Sequence, residues 1–178
     1  MKQLATVMFA SLASVAFAGQ PVYQATGKEI KNPIPPEPCF AETELQLDVY
    51  GAFVGPDGGV HHDGWGGGLG VNYYFSRHIG VGVDGTVTDN EGPELWQVHA
   101  HLLARFPIDT GSLCFAPYLK VGGGYQLDSQ NDWSYGVGGG IEFRLTPRFG
   151  IFGEGGYYWT ESDDNNYAQA KAGIRFIF

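Results

Sequence analysis

From Glu44 onward the chain alternates apolar and polar side chains with a period of two, in eight consecutive runs. Nothing else in the sequence restricts the fold so tightly, because successive side chains of a β-strand point to opposite faces, whereas a helix repeats every 3.6 residues. In the first run Leu45, Leu47, Val49 and Phe53 oppose Glu44, Gln46, Asp48 and Tyr50. The second sets Trp65, Leu69, Val71, Tyr73 and Phe75 against Gly66, Gly68, Gly70 and Asn72. The third sets Val81, Val83 and Val87 against Gly82, Asp84 and Thr86, and the fourth Trp96, Val98, Leu102 and Phe106 against Gln97, His99, His101 and Arg105. Runs five to eight continue in kind, with Tyr118, Lys120, Glu142, Arg144, Phe152, Glu154, Tyr158, Lys171 and Arg175 on the polar side. Each run has about the 9–11 residues that a tilted strand needs to cross a bilayer. The expected fold is all-β, an eight-stranded antiparallel up-and-down transmembrane β-barrel.

Alternation alone does not say which face is inside, since a soluble up-and-down barrel buries its apolar face. Three observations choose. Trp65, Trp96, Trp133 and Trp159 fall at one rim of the apolar face, and Phe75, Phe106, Phe143, Phe149, Phe176 and Phe178 at the other. Two aromatic girdles are what the two lipid interfaces select. The polar face is also balanced, with five acids (Glu44, Asp48, Asp84, Glu142, Glu154) and five bases (Arg105, Lys120, Arg144, Lys171, Arg175). A closed lumen needs that balance, because a buried unpaired charge costs several kcal/mol, whereas a wetted surface does not. Finally, the connections alternate in kind: the two-residue turns Ser76-Arg77 and Thr146-Pro147 share one end, the short-turn end, with the 107–113 connection, and loops around 57–63, 89–94, 128–132 and 161–166 form the other, the long-loop end. Those four loops hold acids and no Lys or Arg. Glycines on the polar face of runs two and six leave room for Tyr50, Tyr74, Tyr118, Phe152 and Tyr158.

The N-terminus reads as an export signal, with Lys2 as the charged start, 4–15 as the apolar stretch and Ala16-Phe17-Ala18 as an A-x-A cleavage site. Three segments follow from this: a signal peptide 1–18, a Pro-rich periplasmic arm 19–43, and an outer-membrane β-barrel 44–178. In the arm Pro21, Pro33, Pro35, Pro36 and Pro38 disfavour helix and ladder strand alike. Cys39 and Cys114 are an even pair in an oxidising compartment. Cys114 starts the fifth run at the end where the arm enters, so a disulfide clipping the arm across the barrel base is expected.

The closing strand 167–178 with its terminal Phe178, and the turn Leu145-Thr146-Pro147-Arg148-Phe149-Gly150, resemble the small OmpA/OmpX-like outer-membrane barrels of the porin-like superfamily. The resemblance covers roughly residues 44–178. It implies that the last strand, with Phe176 and Phe178, is the signal read by the barrel-assembly machinery. No peptidoglycan-binding domain of the kind found in full OmpA-type proteins is expected, so its tethering role is not carried over.

Candidate chemistry is sparse. His99 and His101 point into the lumen near Asp84 and Lys120, but zinc needs further converging ligands, and a hydrogen-bonded interior network is the plainer reading. His61, His62 and Asp63 form an exposed cluster suited only to adventitious metal. Ser129, Ser134 and Ser162 lie near the outer rim without a motif that joins them to a base, so no enzyme is expected. Gly66-Gly67-Gly68 and Gly122-Gly123-Gly124 lie within strands and lack the context of phosphate loops. The net charge of −9 and scattered bases disfavour nucleic acid, and no such partner is expected.

The expected function is a structural, envelope-integrity or surface-interaction role, without cofactor or dedicated metal site. The partners would be outer-membrane lipid and lipopolysaccharide, with weak divalent cation binding at the acidic loops set against a reading in which their charge only keeps them soluble. A narrow diffusion pore and a lipid-modifying enzyme are the alternatives.

Overall fold

The computed structural model describes residues 39–57, 63–89, 95–111, 113–127, 132–161 and 166–178. Residues 1–18, where a signal peptide is expected, residues 19–38 of the expected arm, His61, His62, Ser129, Ser162 and the middles of the four loops at the long-loop end lie outside these residues.

Eight long strands form the wall: β1 (Glu44–Pro56), β2 (Gly64–Tyr74), β3 (Ile79–Asp89), β4 (Leu95–Arg105), β6 (Cys114–Leu127), β7 (Asp132–Thr146), β8 (Phe149–Thr160) and β9 (Tyr167–Ile177). Each pairs antiparallel with its neighbours, and pairing of β1 with β9 closes the sheet. A two-residue strand, β5 (Ile108–Asp109), pairs with the start of β6 and turns the expected plain 107–113 connection into a small hairpin. Its turn is closed by Thr110 N–H donating to the Leu113 carbonyl, and Gly111 takes the positive φ of 80° that the reversal requires.

The register fixes the shape. From Glu44 it runs through Tyr74, Gly80, Leu103, Lys120, Gly138, Gly156 and Gln169, and returns to β1 at Val54, ten residues beyond its start. With ordinary strand spacings, a stagger of ten over eight strands gives a tilt of about 40° and a backbone radius of about 8 Å. Such a cylinder has room for side chains and little more.

The faces follow the alternation. Glu44, Gln46, Asp48 and Tyr50 are buried, while Leu45, Leu47 and Val49 between them are exposed. The same holds on β4, where Gln97 and His99 point in and Trp96, Val98 and Leu102 point out. The interior is thus polar and the exterior apolar, the reverse of a water-soluble protein. Inward glycines make the volume for rings: a Cβ on Gly68 would lie 2.6 Å from the Tyr50 hydroxyl, and one on Gly140 2.7 Å from the Tyr118 ring.

Candidate functional site: the charged lumen and its lipid-facing wall

The ten lumen charges sort into two groups, each neutral by itself. Toward the short-turn end, the Glu44 carboxylate lies between Arg105, at 2.5 Å, and Arg144, at 2.8 Å. Arg144 also pairs with Glu142, whose other oxygen accepts from Arg175 at 2.6 Å. Arg175 in turn grips Asp48, and Asn72 donates to the same carboxylate at 2.8 Å. Three acids thus alternate with three guanidiniums. Aromatic faces cover what the carboxylates leave: Tyr74 lies 3.9 Å from the Arg105 guanidinium and Phe152 lies 4.7 Å from that of Arg175.

Toward the long-loop end, Lys171 donates to Asp84 at 2.7 Å and Lys120 donates to Glu154. The crossed distances, 3.9 Å from Lys120 to Asp84 and 3.8 Å from Lys171 to Glu154, make a compact square of two acids and two bases. Tyr118 donates to Glu154 at 2.8 Å, and Tyr50 lies 2.9 Å from the Thr86 hydroxyl. Between the two groups a void of about 10 Å³ remains, bordered by Asp48, Asn72, Asp84, His101 and Arg175. That is about the space of one water molecule.

His99 and His101 flank this square. Their Nδ1 atoms lie 3.7 and 3.5 Å from Asp84. His99 Nε2 is 2.9 Å from the Tyr167 hydroxyl and 3.3 Å from Ser134 Oγ. The order Ser134, His99, Asp84 imitates a nucleophile, base and acid, but Tyr167 shares the imidazole, Lys171 holds the carboxylate, and Ser134 is buried at 3% exposure. Catalysis needs a place for substrate beside the nucleophile; here the serine is one member of a packed hydrogen-bond network.

Phe40 is a lumen residue that the sequence reading missed, as are Leu103 and Tyr167. Its ring is 1% exposed and lies 4.8 Å from the Arg105 guanidinium and 4.5 Å from that of Arg144, where it stops the barrel base. The disulfide between Cys39 and Cys114, with Cα atoms 6.1 Å apart, holds it there. The clip therefore forms as expected. The only advance signal of the stopper was one aromatic residue beside a cysteine in a proline-rich stretch.

Outside, Trp65 and Trp133 are 73% and 65% exposed. Trp159 stacks on Tyr135, Trp133 meets Tyr125 edge-on, and Phe53 lies against Trp65, all at the long-loop rim. At the other rim Phe149 meets Phe176, Phe115 meets Phe143, and Phe75, Phe106 and Phe178 are exposed. Along β7 the two girdles are ten residues apart, from Trp133 to Phe143. At the tilt above that is about 25 Å of height, the apolar band of an outer-membrane barrel. At the loop ends the described acids are Asp57, Asp63, Asp89, Asp132 and Glu161, and Asp57 accepts from the Tyr157 hydroxyl at 2.7 Å.

The sequence profile described as outer membrane protein beta-barrel domain matches residues 10–176. The chain belongs to this family. This outer-membrane barrel is similar in fold to Neisserial surface protein A, at 18% identity and a TM-score of 0.61 over 78% of this chain and 98% of that one. It is also similar to the N-terminal β-barrel domain of OprF from Pseudomonas aeruginosa, at 14% identity and a TM-score of 0.61 over 78% and 99%. OprG from the same organism gives 16% identity and 0.61 over 80% and 99%. No curated protein sequence matches the chain. The outer-membrane barrel therefore sits with its apolar band in lipid, and in such proteins the short turns face the periplasm and the longer loops the outside.

Proposed function

We propose that this barrel is a non-enzymatic envelope protein that serves membrane integrity or surface interaction, with its acidic loops as the outward contact. The filled lumen carries this reading. Two self-neutralising charge groups, a water-sized void between them and Phe40 below support a filled lumen over a standing pore. Active chemistry is disfavoured by the burial of Ser134 and its shared imidazole. The girdles suit contact with lipid and lipopolysaccharide, and divalent cations bridging loop carboxylates to lipid phosphates would suit oxygen ligands on both sides. The β9 strand, with Phe176 half-buried and Phe178 at 70% exposure, has the form a barrel-assembly machinery would read.

Planar-bilayer recording on the refolded protein tests the reading. A quiet membrane at protein densities where a porin conducts is the expected result, and regular conductance steps would replace this function with the pore.

A further inference from the structure

At the short-turn end, β5 and β6 set Asp109 directly opposite Cys114. The turn orients the exposed Asp109 side chain, whose Oδ1 accepts the Gly111 N–H at 2.8 Å. That same oxygen lies 3.9 Å from Cys114 Sγ. Cys39 completes the group, and one ligand atom from each of the three residues lies within 4.8 Å of the others. A carboxylate is a poor neighbour for a disulfide exchanging through thiolates, because its charge disfavours the thiolate. It is a good neighbour for a cation.

We propose that Cys39, Cys114 and Asp109 form a zinc-class metal site whenever the two cysteines are reduced, and that the disulfide is the metal-free form of the same clip. Two thiolates and a carboxylate are donors that a borderline-soft divalent ion accepts, and tetrahedral zinc spaces a sulfur and an oxygen ligand by roughly 3.5 Å, from metal–ligand bonds of about 2.3 and 2.0 Å. The hairpin already supplies nearly that spacing. Two zinc-bound sulfurs stand roughly 3.8 Å apart, a separation reached from the disulfide by side-chain rotation. Water fills the fourth position. Conversion to the covalent form balances as a two-electron exchange: an external disulfide oxidant accepts two electrons and leaves as two thiolates, Cys39 and Cys114 lose two electrons in forming their bond, and the metal departs as the divalent ion. Either form keeps Phe40 seated between Arg105 and Arg144.

The test uses the full refolded barrel in detergent, reduced under anaerobic conditions, with zinc affinity read by competition against a chromophoric chelator. The reduced protein is expected to bind one zinc ion, and the same protein reoxidised none at that site. C39S and C114S should abolish this binding, and D109N should weaken it by at least about the 10–100-fold that even outer-shell partners are worth. Cobalt substitution should show a sulfur-to-metal charge-transfer band in the reduced wild type and none in C39S or C114S. Retention of equal zinc by C39S would assign the metal to other groups and overturn the proposal, as would absence of the cobalt band. Wild-type affinity in D109N would remove the carboxylate from the site and overturn the three-ligand assignment.

Discussion

Arg175 holds Asp48 with two parallel hydrogen bonds, Nε to Oδ1 and Nη2 to Oδ2, both 2.7 Å long, across the seam where the last strand meets the first. The pair is buried, with the guanidinium also bound to Glu142. Fork-to-fork geometry is the strong form of such a bond.

Removing one partner should therefore cost far more than removing both. R175M is expected to destabilise the barrel by about 3–5 kcal/mol, because it leaves Asp48 buried without a charged partner and takes from Glu142 one of its two guanidiniums. The double variant R175M/D48L should recover a substantial part of that loss. Urea unfolding in detergent micelles, followed by the heat-modifiable gel shift, measures both; equal losses would show that the charge pair adds nothing specific.

Inward and outward glycines should respond oppositely to a side chain. A Cβ on Gly140 would meet the Gly153 carbonyl at 2.4 Å and the Tyr118 ring at 2.7 Å, whereas one on Gly153 meets nothing within 4 Å. G140V is expected to cost about 1–3 kcal/mol or more through overpacking, and G153A to be neutral within about 0.5 kcal/mol. Paired unfolding curves decide it, and similar effects at the two sites would contradict the assignment of faces.

The clip should be measurable as covalent and as stabilising. Intact mass should rise by two hydrogens on reduction, and reduction should lower unfolding free energy by about 2–4 kcal/mol, since the bond closes a loop of 75 residues. Two free thiols in the unreduced protein would refute the bond. F40A in the oxidised protein should lose stability without loss of the disulfide, separating the stopper from its latch.

All four tryptophans should report lipid at one depth. Lipids brominated near the headgroup should quench Trp65, Trp96, Trp133 and Trp159 more strongly than lipids brominated at the chain ends, since the rings occupy the interfacial girdle. Stronger quenching from the bilayer centre would mean that the strand register is shifted.

Much of this was legible from residues alone, for an identifiable reason. Strict period two leaves one choice of face for every side chain, so Asp48, His99 and Lys171 could be placed inside and Val49, Val98 and Ala172 outside before any coordinates. The compartment and the position of Cys114 likewise pointed to Cys39. What escaped was anything that depends on the ten-residue stagger. Lumen neighbours come from strands far apart in sequence, and the stagger decides that Arg175 reaches Glu142 while Lys171 reaches Asp84. The division of ten charges into two neutral groups is therefore invisible in a count. Phe40 escaped because one ring in an irregular stretch has no period, and β5 because two residues are too few to alternate.

The composition of those two groups gives the last strand a particular standing. β9 contributes one base to each, Arg175 to the lower and Lys171 to the upper. A cylinder still lacking it would carry one surplus negative charge at both levels, and its interior could not dry without a penalty at each. Completion of the wall and electrical settlement of the interior are thus a single event, so that an unfinished barrel is marked by its own unspent charge.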